Sequence, residues 1–576
     1  MRVIATAGHV DHGKSSLVLA LTGTDPDRFA EEKRRGLTID LGFAHTTLPS
    51  GEGISFIDVP GHVRFLRNML AGVGGVDCCV FIVAATEGWK PQSEEHLSIL
   101  QLLGLSHGVV ALTKADLVDD EWLELQTLEV IDHLEGSFLA DAPIVPVSSV
   151  TGAGLDALIT ELERLVTATA EAHARVDAYD RPRLWVDRSF AAKGSGTVVT
   201  GTLTGGSFAV DQHIDVQPAS VRARIRSIQS NGHTVIAIGP GNRVALNLAG
   251  VDHDQITRGD AVVQVAQWRP SRRVDATLNV LTSLDHDVSR RGAYVAYVGS
   301  GEWPVKIRIL GPDTIQPGMS GLIRIHLPSP LPLVHGDRFI LRESGRNETV
   351  GGGEVLDVAP VLPASKARPD RSIERLIGER RWTTTAEVLA LTGQRLDPTI
   401  GHWVVSPEAL ATTNTDLRAR ITGAGPLGLD VATLDERERA VLATLAGVRV
   451  ESGRALPATA IDEFAEHPLL EVLRAGGTAP PEPTGADRAT LRELVRRHLI
   501  VERDGLYFHP AAIEQATKIV AELLQGTPDG ITMSQLRDAL GVSRKYAVPL
   551  ATELDARGIT RRRGDLRIGG PRLSSG

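Results

Sequence analysis

The residues able to do chemistry cluster in four short runs of the first 155 positions. The first run, GHVDHGKS from Gly8 to Ser15, satisfies the spacing G-x-x-x-x-G-K-[ST] in full. Such a loop closes backbone N–H groups on phosphate oxygens, while its lysine reaches the terminal phosphates and its hydroxyl reaches Mg²⁺. The candidate contacts are Gly8, Asp11, His12, Gly13, Lys14, Ser15 and Ser16. The second run, FIDVPGH from Phe56 to His62, places Asp58 at a strand end, where it can hold the Mg²⁺ shell. It also places the Gly61 N–H to sense a γ-phosphate. The third, ALTKADL, contains Thr113, Lys114 and Asp116. A carboxylate accepts two N–H bonds from guanine and is repelled by the edge of adenine, so Asp116 selects GTP and GDP. The fourth, VPVSSVTGAGL, supplies Ser148 and Ser149, where a backbone N–H can meet the guanine carbonyl.

Each run needs a strand before it, and most need a helix after it. The apolar stretch Arg2 to Ala7 precedes the phosphate loop and SSLVLALTG follows it. This alternation predicts an α/β P-loop GTPase domain over 1–174, built on a doubly wound parallel sheet. VDCCVFIVAA reads as a buried strand, which makes Cys78 and Cys79 small apolar residues rather than redox or metal groups. From 181 the texture changes to short alternating runs with glycine turns, predicting two all-β barrels over 181–269 and 270–362.

Beyond 364 a pattern recurs: a helix, a β run, a turn containing glycine and a second β run. It appears in LATLAGVRVESGRALP, VRRHLIVERDGLYFHP and LDARGITRRRGDLRIG, with a fainter version around GHWVVSPEAL. Each copy has the form of a small α+β winged-helix domain with its hairpin wing. The predicted boundaries are 366–409, 410–457, 458–510 and 511–576.

The chain has 576 residues and a formal net charge of −10, which argues against a general nucleic-acid coat. The last module is the exception. From Arg544 to Arg567 it carries seven basic residues against three acidic ones. Arg544 and Lys545 open its predicted recognition helix, and Arg561, Arg562, Arg563 and Arg567 lie in the wing. Pro549 falls inside that helix and should kink it or mark its first turns. No apolar run approaches the roughly 20 residues of a membrane span, and the two adjacent cysteines suit a reducing cytoplasm. A monomer is expected.

RRGLTIDLGF, Arg34 to Phe43, resembles the first switch of the translational GTPases, and DVPGH fits the same family. The resemblance implies that Thr38 binds Mg²⁺ and the γ-phosphate in the GTP state. It also implies that His62 orients the attacking water and that Val10 and Leu37 hold His62 back until the ribosome repositions it. GSGTVVTG and DRFILRESGRNETVGGGEVLD resemble the second and third domains of elongation factor Tu. With LWVDRSFAAKGSGTVVTGT, TKAD and GNRVALNLAG, the chain is similar to the selenocysteine-specific elongation factors of bacteria. That implies a ribosome-stimulated GTPase carrying selenocysteinyl-tRNA to UGA codons, with the last winged helix on the selenocysteine-insertion hairpin of the mRNA. Asp187, Arg188 and Arg243 match the family's aminoacyl pocket. One residue departs from the family pattern: Thr113 stands where the family usually has Asn. It lacks the amide that ties the guanine motif to the phosphate loop, which puts nucleotide affinity and the need for an exchange factor in question. The alternatives are a general aminoacyl- or initiator-tRNA carrier, or an RNA-binding regulator switched by GTP. Selective binding of one charged tRNA separates them.

Overall fold

The computed structural model describes residues 2–27, 32, 34, 38–61, 65–73, 76, 78–174, 181–192, 194, 196–460 and 463–573. The chain divides into two units, Met1–Ser406 and Pro407–Gly576.

The first unit opens with β1 (Arg2–Ala7), α1 (Lys14–Thr22), β2 (Gly42–Thr47), β3 (Gly53–Asp58), α2 (Leu66–Val73) and β4 (Cys78–Ala84). There follow α3 (Pro91–Leu102), β5 (Gly108–Thr113), α4 (Asp120–Leu134), β6 (Ile144–Pro146) and α5 (Leu155–Ala174). The sheet order is β2-β3-β1-β4-β5-β6. β2 runs antiparallel to β3, and the other neighbours are parallel. CCVFIVA is buried along its whole length, as expected of a strand covered on both faces. Burial pushes the Cys79 thiol up to about 12, which leaves it inert. The loops after β1, β3 and β5 leave the sheet at the strands' carboxyl ends, where open α/β sheets bind ligands.

The first barrel contains β7 (Arg183–Trp185), β8 (Arg188–Ala192), β9 (Gly196–Thr204), β10 (Phe208–Ala209) and β11 (His213–Gln217). It continues with β12 (Val221–Ser230), β13 (His233–Val235), β14 (Ala237–Ile238), β15 (Asn242–Ala249) and β16 (Ala261–Gln264). The path β11-β16-β7-β9-β15-β12 is closed by pairing of β11 with β12.

The second barrel comprises β17 (Ser271–Val280), β18 (Val288–Ser289), β19 (Tyr294–Val298), β20 (Gly301–Ile309), β21 (Thr314–Ile315), β22 (Ser320–Leu331), β23 (Arg338–Glu343) and β24 (Glu348–Asp357). It closes in the order β17-β22-β20-β19-β23-β24. Arg183 fastens one barrel to the other through a two-pronged pair with Asp337 at 2.7 and 2.6 Å.

The segment 366–406 folds as α6 (Ile373–Arg380), β25 (Trp382–Thr384), α7 (Thr385–Thr392) and β26 (Trp403–Val405), and it belongs to the first unit. Arg371 pairs with Glu354 and Arg375 with Asp357, so this segment is docked on the second barrel. Arg181 donates to the carbonyls of Leu389 and Ala390 at 3.1 Å, capping the end of α7. The expected boundary at 409/410 falls inside the next helix, α8 (Pro407–Gly423), and the chain divides at 406/407 instead. The sequence could not show this, because the docking is made by ion pairs to distant strands.

The second unit continues through β27 (Leu429–Asp430), α9 (Glu436–Thr444), β28 (Val448–Glu451), β29 (Arg454–Pro457), α10 (Pro468–Gly476), α11 (Arg488–Arg496), β30 (Val501–Arg503) and β31 (Leu506–Phe508). It ends with α12 (Pro510–Gly526), β32 (Ile531–Thr532), α13 (Met533–Leu540), α14 (Arg544–Ala556), β33 (Thr560–Arg563) and β34 (Leu566–Gly569). The hairpins β28–β29, β30–β31 and β33–β34 are the repeated wings. α13 begins on a reciprocal cap between Thr532 and Gln535. Phe508, fully buried, packs with Ala512, Leu536 and Leu550, so the third wing shares the core of the last module. Burial of such a ring contributes about 1.5–3 kcal/mol. Pro549 sits buried within α14, where its ring fills the core side of the helix.

Candidate functional site

The phosphate loop is held by its neighbours on β4 and α3. Gly8 has a φ of +134°, and a Cβ there would lie 2.1 Å from the Ile82 carbonyl oxygen, so only glycine fits. The Gly8 N–H donates to His96 Nδ1 at 3.0 Å and the Val10 N–H to Gln92 Oε1 at 3.3 Å. Burial, reinforced by Lys14, brings His96 down to about 3 and keeps the imidazole a neutral acceptor. Burial also brings His12 to about 3, with its ring edge-on to His9 at 4.9 Å.

Lys14 is buried, and its Nζ donates to the carbonyls of His9 at 2.7 Å and Gly8 at 3.2 Å. Burial lowers its pKa to about 8 against the opposing pull of Asp58. Asp58 is fully buried and accepts from Thr6 Oγ1 at 2.7 Å and Ser15 Oγ at 2.6 Å; burial raises its pKa. Ser15 Oγ lies 2.9 Å from Thr38 Oγ1. The fold therefore joins Ser15, Thr38 and Asp58, a set of hard oxygen donors of the kind Mg²⁺ takes. It adds Asp27, which accepts from Thr38 at 3.0 Å and whose pKa burial raises.

Gly61 approaches so closely that a Cβ would stand 2.4 Å from Lys14 Nζ and 2.7 Å from the Val10 nitrogen. Val10, Asp11, Gly13, Ser16, Thr38, Gly61 and Lys114 line one cleft of about 470 Å³. His62 and Leu37 lie outside the described residues.

At the guanine end, the expectation drawn from Thr113 needs correction. Its hydroxyl donates to the His12 carbonyl at 2.6 Å, so threonine does tie the motif to the phosphate loop. Lys114 pairs with Glu87 at 3.1 Å. Asp116 is exposed on the 3₁₀ turn Ala115–Leu117. Ser148 Oγ accepts from the N–H groups of Val150 and Thr151 at 3.3 and 3.1 Å and shapes the loop.

A second cleft, of about 910 Å³, opens between the nucleotide domain and the first barrel. Asp187 lies just before β8, Arg188 begins it, and Arg243 comes from β15. Arg243 grips Asp187 at 2.6 and 2.8 Å, and Thr200 Oγ1 donates to Asp187 at 2.7 Å. Both guanidiniums also lie over the Phe43 ring, Arg243 at 3.6 Å and Arg188 at 4.5 Å from its centroid. Arg188 donates to the Leu41 carbonyl. Asp40 stands 3.7 Å from Arg188 and 3.6 Å from Arg258. The lining holds three guanidiniums, of Arg188, Arg243 and Arg258, against the carboxylates of Asp40 and Asp187, which leaves a surplus of one positive charge. Arg258 lies in none of the motifs, and Phe43 ends the switch run without a role that its position there could show.

In the last module, Arg544 and Lys545 are exposed at the start of α14, and Arg561, Arg562 and Arg563 are all exposed on β33. Arg567 differs: its side chain is 12% exposed and pairs with Asp555 at 3.2 Å. Arg557 pairs with Glu553, which also holds Arg503 of the third wing. Among the described residues, no helix is long and apolar enough to cross a membrane.

Three family models match the chain. They are the Elongation factor Tu GTP binding domain over residues 1–168, the Selenocysteine-specific elongation factor beta-barrel domain over 276–361, and the Elongation factor SelB winged helix over 522–568. A selenocysteine-specific elongation factor of Desulfomicrobium baculatum is 36% identical over 87% of this chain and 76% of its own length. That of Escherichia coli is 30% identical over 98% of each. The crystal structure of a bacterial selenocysteine-specific elongation factor superposes with a TM-score of 0.73 at 25% identity, covering 99% of both chains. The apo factor of Methanococcus maripaludis gives 0.52 at 25% identity over 62% of this chain and 80% of that one.

Proposed function

The chain belongs to the selenocysteine-specific elongation factors, GTPases related to elongation factor Tu, and from that premise we propose how its three sites divide the work. GTP or GDP lies along Gly8 to Ser16, with Lys14 toward the terminal phosphates and Asp116 accepting the guanine N–H groups. The Ser148 N–H is engaged by the Ala153 carbonyl at 2.9 Å, so Ser149 is the residue of the pair that presents its N–H to the base. Ser15, Thr38 and Asp58 would hold Mg²⁺, which supplies charge neutralisation at the phosphates. His62 orients the attacking water, behind the apolar pair Val10 and Leu37, when the ribosome engages the complex.

The second cleft takes the aminoacyl group. A selenol is more acidic than a thiol, whose pKa is about 8.5, so it enters as an anion. The seryl precursor on the same tRNA is neutral. A cleft with one surplus guanidinium charge discriminates between them by charge rather than size. A carrier of ordinary aminoacyl-tRNAs would gain nothing from that surplus. The exposed arginines of β33 and the start of α14 bind the mRNA hairpin, whose duplex is read through its backbone shape.

The observation that carries this reading is the meeting of Arg188, Arg243 and Arg258 with Phe43 and Asp40 in one cleft. The test is filter binding in GTP with selenocysteinyl-, seryl- and cysteinyl-tRNA, with and without hairpin RNA. Tight binding of the selenocysteinyl form alone is expected, and equal retention of all three would refute the pocket assignment.

A further inference from the structure

Arg258 lines the second cleft and also reaches α2 of the nucleotide domain. Its guanidinium donates to Asn68 Oδ1 at 3.0 Å and to the Asn68 carbonyl at 3.3 Å. Asn68 Nδ2 in turn donates to the Ile39 carbonyl at 2.8 Å. One side-chain amide thus joins the first barrel to the stretch that follows Thr38.

Both ends of this bridge are held in place. Arg258 sits in the turn before β16, where Asp260 accepts from the Thr257 N–H at 2.7 Å and the Gly259 N–H donates to the Val186 carbonyl at 3.0 Å. Gly259 has a φ of +98°, and a Cβ there would lie 2.8 Å from Gly301 in β20, so the turn is seated against the second barrel. On the other side, Met69 and Leu70 of α2 share the nucleotide-domain core with Leu41. A Cβ at Gly72 would stand 2.5 Å from a Leu41 methyl carbon, so α2 packs directly on the 38–41 stretch. The N–H groups of Ile39 and Asp40 donate to the buried Glu32 carboxylate at 3.0 and 3.2 Å. Ile39 is therefore gripped at its N–H by Glu32 and at its carbonyl by Asn68, one residue after Thr38. Asp40 adds a longer link to Arg258, at 3.6 Å.

A side-chain amide donates and accepts at once, whereas a carboxylate only accepts and a methyl does neither. The position between Ile39 and Arg258 uses both functions. We infer that Asn68 is a positioning residue that makes the preference for GTP over GDP depend on Arg258 of the first barrel. The inference rests on the reading that Thr38 meets the γ-phosphate. A γ-phosphate that fixes Thr38 fixes Ile39 beside it, and the Asn68 amide passes that placement to Arg258 in the second cleft. Coupling between two sites is reciprocal. Arg258 therefore contributes to GTP binding, although the nucleotide cleft is lined without it.

The test uses full-length protein without tRNA, and the readout is the ratio of GTP to GDP affinity from stopped-flow binding of fluorescent GTP and GDP. Asn68→Asp keeps an acceptor for Arg258 and removes the donor that the Ile39 carbonyl uses. It is expected to lower the ratio by about 2- to 12-fold, the loss of one net hydrogen bond, through weaker GTP binding alone. Arg258→Ala is expected to lower it in the same direction by at least about 2-fold. Melting temperatures measured with GDP stay at the parental value. Arg222→Ala, which removes an arginine of the same barrel paired with Asp215, leaves the ratio in place. Parental ratios in both test variants overturn the inference, as does an equal loss of GTP and GDP binding, which marks a merely structural role. A change in Asn68→Asp alone overturns it too, because the link would then end at α2. A change in Arg258→Ala alone would route the coupling through Asp40 and overturn the assignment to Asn68. Thr38→Ala separates the two readings: an unchanged ratio there removes the γ-phosphate role of Thr38 and the inference with it. A lowered ratio there with parental ratios in the other two removes the inference alone.

Discussion

Replacing Thr113 by valine removes one hydroxyl and keeps the branched shape. Thr113 Oγ1 donates to the His12 carbonyl at 2.6 Å and lies 3.3 Å from the Val83 carbonyl. The residue is 2% exposed, so water cannot replace the lost donor. A buried acceptor left without a partner costs about 1–3 kcal/mol. Where that cost falls entirely on the nucleotide-bound loop, affinity drops by about 5- to 150-fold, at ~1.36 kcal/mol per tenfold change. The assay is stopped-flow dissociation of a fluorescent GDP, with thermal unfolding of the same preparation. Thr113→Asn offers an amide donor to the same carbonyl and is expected to hold GDP as the parent does. A valine variant with unchanged dissociation and an unchanged melting temperature would show that this bond neither ties the guanine strand to the phosphate loop nor contributes to nucleotide affinity.

Four further outcomes are expected. Arg243→Met alone strands the Asp187 carboxylate and destabilises the protein by about 3–5 kcal/mol. Asp187→Asn/Arg243→Met is therefore the informative variant: it should fold, and its preference for selenocysteinyl- over seryl-tRNA should fall toward one in filter binding. Burial brings Lys14 down to about 8 in the folded protein from the ordinary lysine value of 10.5. Between those pH values the unfolded chain holds a proton that the folded chain has lost, so stability rises with pH across this window; chemical denaturation of nucleotide-free protein should show a slope that Lys14→Met lacks. Neutralising Arg561, Arg562 and Arg563 together should flatten the salt dependence of hairpin binding by up to about 2.7. Arg567→Ala should lower the melting temperature of the last module by breaking its pair with Asp555, with little change in slope.

What the sequence made legible was local. The phosphate loop, the Asp58 strand and the guanine strand are each a strand followed by a turn of fixed composition, and such units form in place. The wings were legible for the same reason, as hairpins with a glycine turn and alternating residues. Asp27, Gln92, His96 and Phe43 were not legible, because each becomes functional only when packing brings it to a residue far along the chain. His96, for example, meets Gly8 across 88 positions. Arg567 shows the limit in a single pair of residues. It stands opposite Arg562 in the wing and has the same side chain, yet Arg562 is exposed and Arg567 is bound to Asp555 from the helix. The segment 366–406 reads as one more repeat, but its arginines find Glu354 and Asp357 on the barrel and hold it there.

The stretch 38–43 joins the nucleotide cleft to the cleft that holds Asp187 and Arg243. At one end Thr38 touches Ser15 and Asp27 beside the phosphate loop. Two residues on, Asp40 faces Arg188 and Arg258. The Leu41 carbonyl accepts from Arg188, and the Phe43 ring lies under both Arg188 and Arg243. A loop that a γ-phosphate orders through Thr38 would therefore carry one carboxylate of the second cleft with it, while Phe43 stays in β2 opposite Ile57 of β3. Stacking of a guanidinium on such a ring is worth about 0.5–2 kcal/mol, and two are stacked here. Release of Thr38 after hydrolysis would withdraw Asp40 from Arg188 and Arg258, leaving Arg243 with Asp187 and the Phe43 ring. Because Arg243 keeps Asp187 in either state, the barrel would retain its fold while the 38–41 wall of the cleft moves. The ion pair that looked like simple barrel structure would thus let the cleft open without exposing an unpaired buried charge.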